Sequence, residues 1–192
     1  MKKLFPCVVL LLAVASGEAQ NVSDRPAPEF SVAETINSSP AFDFSRNAMN
    51  MVTEMCALIG LKPNFTVREA NVKNARARIR RGQRVIEYSP EFMRQIHEKK
   101  LNAWTYVFIL AHEIGHHLNG HTVQRNRKSN RVELDADEFA GFMLRKMGAT
   151  LLQSRMAVRH ISNPLETKSH PGTTERVDAV EKGWLKAASS AN

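Results

Sequence analysis

Residues 110–118 read Leu-Ala-His-Glu-Ile-Gly-His-His-Leu, and the rest of the chain is interpreted outward from this stretch. It contains the pattern His-Glu-x-x-His, with His112, Glu113 and His116 in the defined positions. Residues four apart on an α-helix lie on one face, so two imidazoles at this spacing can hold one Zn²⁺ between them. Glu113 directly follows the first histidine and flanks the metal, where it can take a proton from a metal-bound water.

An apolar pattern around the motif predicts that it is helical. Apolar residues recur at helical spacing, at Trp104, Val107, Phe108, Ala111 and Leu118. His112 and His116 continue from Phe108 in steps of four, at the edge of this stripe. We therefore expect a helix over residues 103–119, ended by Asn119-Gly120. The motif alone also fits a helix that happens to carry two histidines.

A carboxylate pair follows the motif on the next predicted helix, which runs from Val132 to Met147 with Asn130 as its cap. Glu133 and Asp137 are four residues apart and therefore share one face. Glu133 can supply a third metal ligand. Asp137 can accept the free ring N–H of a ligating histidine and so fix its tautomer. The alternative is an ordinary acidic helix face.

Two further histidines, His117 and His121, lie close to the motif in sequence. His117 points about 100° away from His116 around a helix, and His121 follows the glycine that ends it. We expect both to face solvent or to support a ligand rather than to bind the metal.

The other periodic segments predict an α+β domain that is mostly helical, with a small sheet packed on the motif helix. Alternating residues predict strands within residues 64–89, with a turn at Arg81-Gly82-Gln83. Further helices are predicted at residues 43–60, from Ser89-Pro90 through Ile96, at 149–162, and after Thr173 or Thr174.

Three arginines, Arg76, Arg78 and Arg80, alternate along one predicted strand and therefore share a face. They fit a solvated sheet face, or an electropositive wall that favours acidic substrates or nucleic acid. No aromatic side chains alternate with them, which favours the solvated face.

Composition and the N-terminus suggest an exported globular protein. The chain has 192 residues, a formal net charge of +8 and 43% hydrophobic residues. Lys2 and Lys3 precede a short apolar run from Leu4 to Ala15, which predicts a signal peptide at residues 1–19. Residues 20–42 are rich in proline and polar residues and predict a flexible segment, which leaves residues 43–188 for the domain that carries the two motifs. A mature chain would keep only Cys56 and so form no internal disulfide.

The two motifs taken together resemble those of the gluzincin metallopeptidases. Within them, the chain is similar to soluble exported members of the HtpX and CAAX-prenyl-endopeptidase family over roughly residues 70 to 185. The resemblance implies a zincin-like fold, Glu133 as the third zinc ligand, and Asp137 beside it. It also implies a site role for His170 and Arg176, which lie in Ser-His-Pro-Gly-Thr-Thr-Glu-Arg at residues 169–176.

The same resemblance assigns Asn74-Ala75 to an edge strand on the substrate side. The membrane helices of the better-known family members are missing here, which leaves the substrate open. His170 would either donate a hydrogen bond to the oxyanion or occupy the open zinc position, and Arg176 would also stabilise the oxyanion.

The resulting hypothesis is a periplasmic or secreted zinc metalloendopeptidase with one Zn²⁺ per chain. Its partner would be a protein or peptide substrate, with no nucleic acid and no transmembrane helix in the mature chain. Two alternatives remain: a non-catalytic, metal-stabilised binding or chaperone-like envelope protein, and a basic nucleic-acid binder. The oligomeric state is left open.

Overall fold

A computed structural model describes residues 44–123, 129–162, 164–165 and 171–189, and within them a small sheet is accompanied by six helices. The helices are α1 (Phe44–Leu58), α2 (Pro90–Glu98), α3 (Trp104–Leu118), α4 (Asn130–Lys146), α5 (Leu151–Arg159) and α6 (Thr173–Ser189). The strands are β1 (Phe65–Glu69), β2 (Ala75–Arg80) and β3 (Gln83–Tyr88). The predicted α+β class, mostly helical with a small sheet, is confirmed.

The three strands form one sheet in the order β1-β3-β2, so β3 is central and β2 lies at an edge. β3 runs parallel to β1 and antiparallel to β2. The hairpin between β2 and β3 turns at Arg81 and Gly82, which both have positive φ angles, of 50° and 79°. Such a turn matches the twist of the strands it joins, and it falls where the sequence predicts it.

The motif helix α3 lies at the centre of the fold. It packs against α1, α4 and α5 and against strands β2 and β3. All of its residues are buried except His116 and Leu118. A single apolar stripe therefore describes this helix incompletely, because neighbours cover the other faces as well.

Helices α4 and α6 cross at very short range because each has a glycine at the crossing. A Cβ atom built on Gly141 of α4 would lie 1.9 Å from the carbonyl oxygen of Val180. A Cβ atom built on Gly183 of α6 would lie 1.8 Å from the carbonyl oxygen of Glu138. No larger residue fits at either position without displacing a backbone, so the close approach depends on both glycines.

Three of the described helices, α2, α4 and α5, begin at a side-chain cap. The hydroxyl of Ser129 accepts a hydrogen bond from the backbone N–H of Val132, so Ser129 caps α4 and the prediction of Asn130 is wrong. Asn130 lies inside the first turn, one residue too late for its side chain to reach that donor. Ser89 caps α2, and Thr150 forms a capping box with Gln153 at the start of α5.

The described residues all fall within one compact unit, Ser31–Asn192. The predicted signal peptide and the segment at residues 20–42 lie outside the described residues. Among those described, no helix combines the length and apolar character that a membrane crossing requires.

Candidate active site

Two histidines of α3 and one glutamate of α4 bring their ligand atoms together. Nε2 of His112 lies 3.0 Å from Nε2 of His116. Oε2 of Glu133 lies 3.5 Å from Nε2 of His112, and Oε1 of Glu133 lies 3.7 Å from Nε2 of His116. This His-His-Glu group can hold a metal ion.

The spacing of these atoms fits a tetrahedral metal. Two ligands that each lie about 2.0–2.1 Å from a tetrahedral ion are separated by about 3.4 Å. The three observed separations of 3.0, 3.5 and 3.7 Å bracket that value. The three side chains are only 9–15% exposed, so the site is partly enclosed yet reaches solvent.

The other ring nitrogen of each histidine is already engaged. Nδ1 of His112 lies 2.8 Å from Oδ1 of Asp137, and Nδ1 of His116 lies 3.1 Å from Nδ1 of His121. A partner on one ring nitrogen fixes the tautomer and leaves the opposite nitrogen to bind a metal. Both Nε2 atoms lie next to the carboxylate of Glu133, where the contacts at Nδ1 leave them available to a metal ion.

Asp137 is fully buried and also binds Arg176, from the first turn of α6. Nε and Nη2 of Arg176 lie 2.8 and 2.7 Å from the two oxygens of Asp137. Burial opposes ionisation of Asp137, but hydrogen bonds from Arg176 and His112 hold its pKa below the usual range. A chain of contacts thus runs from Arg176 through Asp137 to His112.

The electrostatics of the group favour a bound cation. Burial works against charge on His112, yet the neighbouring Asp137 and Glu133 raise its pKa to about 10. For His116, burial and the charge of His112 lower the pKa to about 3. The carboxylates that favour a proton on His112 equally favour a metal ion in its place, since ligating histidines are neutral.

Glu113 lies beside the His-His-Glu group without belonging to it. Burial is the main cause that raises the pKa of its carboxyl, to about 7. The carboxyl accepts a hydrogen bond from the backbone N–H of Ala77 on the edge strand β2. A carboxyl with a pKa close to neutral can both take and return a proton.

These groups line a cleft of about 340 Å³. Its polar wall contains His112, Glu113, Glu133 and Arg176. Its remaining lining residues are Lys73, Asn74 and Ala75 before and in β2, together with Phe92, Phe108, Ile109, Ile161 and Pro171. The structure thus brings the predicted Asn74 and Ala75 to the same cleft as the His-His-Glu group.

The remaining predicted site residues do not all lie where the sequence analysis expects them. Arg176 lies in the cleft, but Asp137 occupies its guanidinium. His170 lies outside the described residues. His117 and His121 are buried rather than solvent-facing, with 2% and 5% exposure. His117 lies near Val85, whose carbonyl oxygen is 3.1 Å from Nε2.

Two contributors to the site have only a weak signal in the sequence. His121 supports His116 across a turn of the chain, and the five-residue spacing between them gives no helical relationship. The N–H of Ala77 reaches Glu113 through the sheet. The alternating pattern of residues 75–80 predicts the strand, but it does not predict which helix lies beside it.

Comparisons with protein-family models, with curated proteins and with solved structures found no match for this chain.

Proposed function

We propose that this chain is an exported zinc metalloendopeptidase of the gluzincin type, with a zincin-like fold similar to that of the HtpX and CAAX-prenyl-endopeptidase family. The observation that carries the proposal is the convergence of His112, His116 and Glu133, with the carboxyl of Glu113 in the same cleft. A His₂Glu donor set with an open position is typical of catalytic rather than structural zinc sites.

The residues that would hold Zn²⁺ are His112, His116 and Glu133. The bound metal would polarise the scissile carbonyl and lower the pKa of a water molecule to about 7. Asp137 orients His112 by accepting the hydrogen of its Nδ1, and Arg176 keeps Asp137 ionised and in place. Arg176 is therefore proposed as an orienting residue, which differs from the oxyanion role expected from the resemblance.

Glu113 is the proposed general base. Its carboxylate accepts a proton from the attacking water and then passes that proton to the leaving amine. The N–H of Ala77 holds one end of the carboxyl, so its orientation is fixed before a substrate arrives. Its burial in the cleft raises the pKa of the carboxyl, which favours uptake of a proton from the water.

The edge strand β2 is the proposed binding surface for the substrate backbone. Because the N–H of Ala77 points to Glu113, it is not used in the ladder with β3. The alternation of an antiparallel ladder then directs the backbone groups of Ala75, Ala77 and Ile79 away from β3. An extended peptide can pair with those of these groups that Glu113 does not use and pass beside the proposed metal ligands.

The test combines metal analysis with a cleavage assay on a general protein substrate such as casein. Wild-type protein should contain one Zn²⁺ per chain and lose its activity with a chelator. Glu133→Ala should lower the zinc content. Glu113→Gln should keep the zinc and lower the cleavage rate by about 10²–10⁴-fold, because only the base is lost.

The control is Glu98→Gln, an exposed change on α2 that should alter neither property. Full zinc content in Glu133→Ala would contradict the ligand set, and full activity in Glu113→Gln would contradict the base. Zinc without any peptidase activity in the wild type would favour the alternative, a metal-stabilised binding or chaperone-like protein.

A further inference from the structure

The sheet carries a group of four arginines on one face, here called the arginine face: Arg68, Arg76, Arg78 and Arg80. They surround the carboxylate of Glu87 on the central strand. Glu87 is only 1% exposed, whereas the arginine side chains are 39–51% exposed. The face is therefore neither a simple solvated surface nor a closed ion pair.

Glu87 accepts hydrogen bonds from only two of the four arginines. Arg68 donates a hydrogen bond to Oε1 of Glu87, and Nε of Arg76 donates one to Oε2 over 2.8 Å. Arg78 and Arg80 each approach only to 3.7 Å, which is beyond hydrogen-bond distance. Within the described residues neither donates a hydrogen bond, so the face presents three cationic charges in excess of its one carboxylate.

The position of the arginine face relates it to the cleft. Arg76, Arg78 and Arg80 alternate along β2 with the residues whose backbone groups form the proposed substrate-binding edge. A chain that pairs with β2 places every second side chain on the same face as these arginines. Oppositely charged side chains directly across neighbouring strands attract each other.

We propose that the arginine face selects extended polypeptide segments that carry aspartate or glutamate at alternate positions. This inference rests on the proposed function for its binding edge, and it adds the class of substrate. An acidic peptide fits better than nucleic acid because the described residues of this face, which include Thr66, Gln83 and Val85, provide no aromatic surface for bases to stack on.

The experiment measures binding of fluorescent eight-residue peptides with blocked ends by anisotropy. One peptide alternates glutamate and valine, a second replaces each glutamate by glutamine, and a third has the first composition with its glutamates contiguous. The full chain carries Glu113→Gln, so that no probe is cleaved. The first peptide should bind more tightly than the other two.

The double variant Arg78→Gln/Arg80→Gln tests the arginines themselves. It spares Arg68 and Arg76, which hold Glu87, so the sheet should fold normally. It should weaken binding of the alternating acidic peptide about three- to tenfold, the effect of losing two cross-strand charge pairs. Lys182→Gln/Lys186→Gln on α6 removes the same charge at another carboxylate, Glu138, and should leave the affinity unchanged.

Several results would overturn the inference. The first is that the alternating acidic peptide does not bind. The second is that the peptide with contiguous glutamates binds as tightly as the alternating one. The third is that Lys182→Gln/Lys186→Gln weakens binding as much as Arg78→Gln/Arg80→Gln does. Binding of single-stranded DNA or phosphatidylglycerol vesicles with the same dependence on Arg78 and Arg80 would also overturn it, by showing a general polyanion surface. Because the assay needs no cleavage, its failure is distinguishable from a wild-type protein that lacks zinc or peptidase activity.

Discussion

Asp137 is the residue through which the last described helix reaches the His-His-Glu group. Its side chain is 0% exposed, and it binds His112 on one side and Arg176 on the other. A buried carboxylate with two such partners is stable only while both contacts persist, because each lost partner leaves an uncompensated polar group.

Replacing Asp137 with asparagine should therefore affect both metal binding and folding. We expect Asp137→Asn to weaken zinc binding about 10–100-fold, because His112 loses the carboxylate that orients it. The free energy of unfolding should fall by about 3–5 kcal/mol, because Arg176 is left buried without its counterion. Zinc titration and denaturant unfolding measure the two effects.

Asp178→Asn serves as the control, since Asp178 is an exposed carboxylate on α6. It should change the free energy of unfolding by no more than about 0.5 kcal/mol. Unchanged zinc affinity in Asp137→Asn would show that His112 is oriented by other contacts.

Sequence spacing predicts those parts of the candidate site that lie within one helix. His112 and His116 share a face because they are four apart, and so do Glu133 and Asp137. The contact of Arg176 with Asp137 spans 39 residues, and the resemblance implied a site role for Arg176 at the oxyanion but not this contact. The support of His116 by His121, and of Glu113 by Ala77, depends on tertiary packing that a local pattern does not encode.

At the scale of whole elements, the crossing of α4 and α6 positions Arg176 over the site. Two glycines bring the helix backbones into direct contact, and the first turn of α6 then reaches Asp137. No periodicity in the sequence predicts this crossing. In a helical pattern a glycine is indistinguishable from any other small residue on an apolar face, so it does not show that a second helix backbone lies against it. The helices themselves follow their predicted positions to within a few residues.

Gly183→Ala should separate these two helices. The added methyl group would meet the backbone oxygen of Glu138 at 1.8 Å, which requires the helices to move. We expect a loss of about 3 kcal/mol or more in the free energy of unfolding, at the upper end of typical overpacking effects. Zinc affinity should fall too, because Arg176 moves with α6.

Thermal unfolding and zinc titration of Gly183→Ala check both expectations. Asp178→Ala, at an exposed position on the same helix, is the control and should be nearly neutral. Wild-type stability in Gly183→Ala would mean that the crossing adapts without cost and does not position Arg176.

At the scale of the whole molecule, Glu87 links the stability of the fold to pH. Burial alone would raise the pKa of this carboxyl, but hydrogen bonds and charge from Arg68 and Arg76 lower it from 4.5 to about 2. Because the folded pKa is the lower one, ionised Glu87 stabilises the fold above about pH 4.5. That contribution is lost as the pH falls from about 4.5 to about 2.

Glu87→Gln should remove this dependence. The variant should unfold more easily than wild type at pH 7, by about 2 kcal/mol, since solvent screens the partly exposed arginines. Its free energy of unfolding should also decline less between pH 4.5 and pH 2. Denaturant unfolding across this range measures both quantities, with Glu98→Gln as a control that should follow the wild type. Parallel curves for Glu87→Gln and wild type would assign the acid sensitivity to other groups.

The burial of α3 on nearly all sides has a consequence for how long the site persists. A helix with almost no surface of its own cannot fray open while its neighbours stay in place, so its amide hydrogens exchange with water only when most of the fold opens. His112 and His116 both lie on this helix. Their arrangement relative to each other therefore lasts as long as the native state itself, and each change that shortens the lifetime of the fold shortens that of the histidine pair by the same factor.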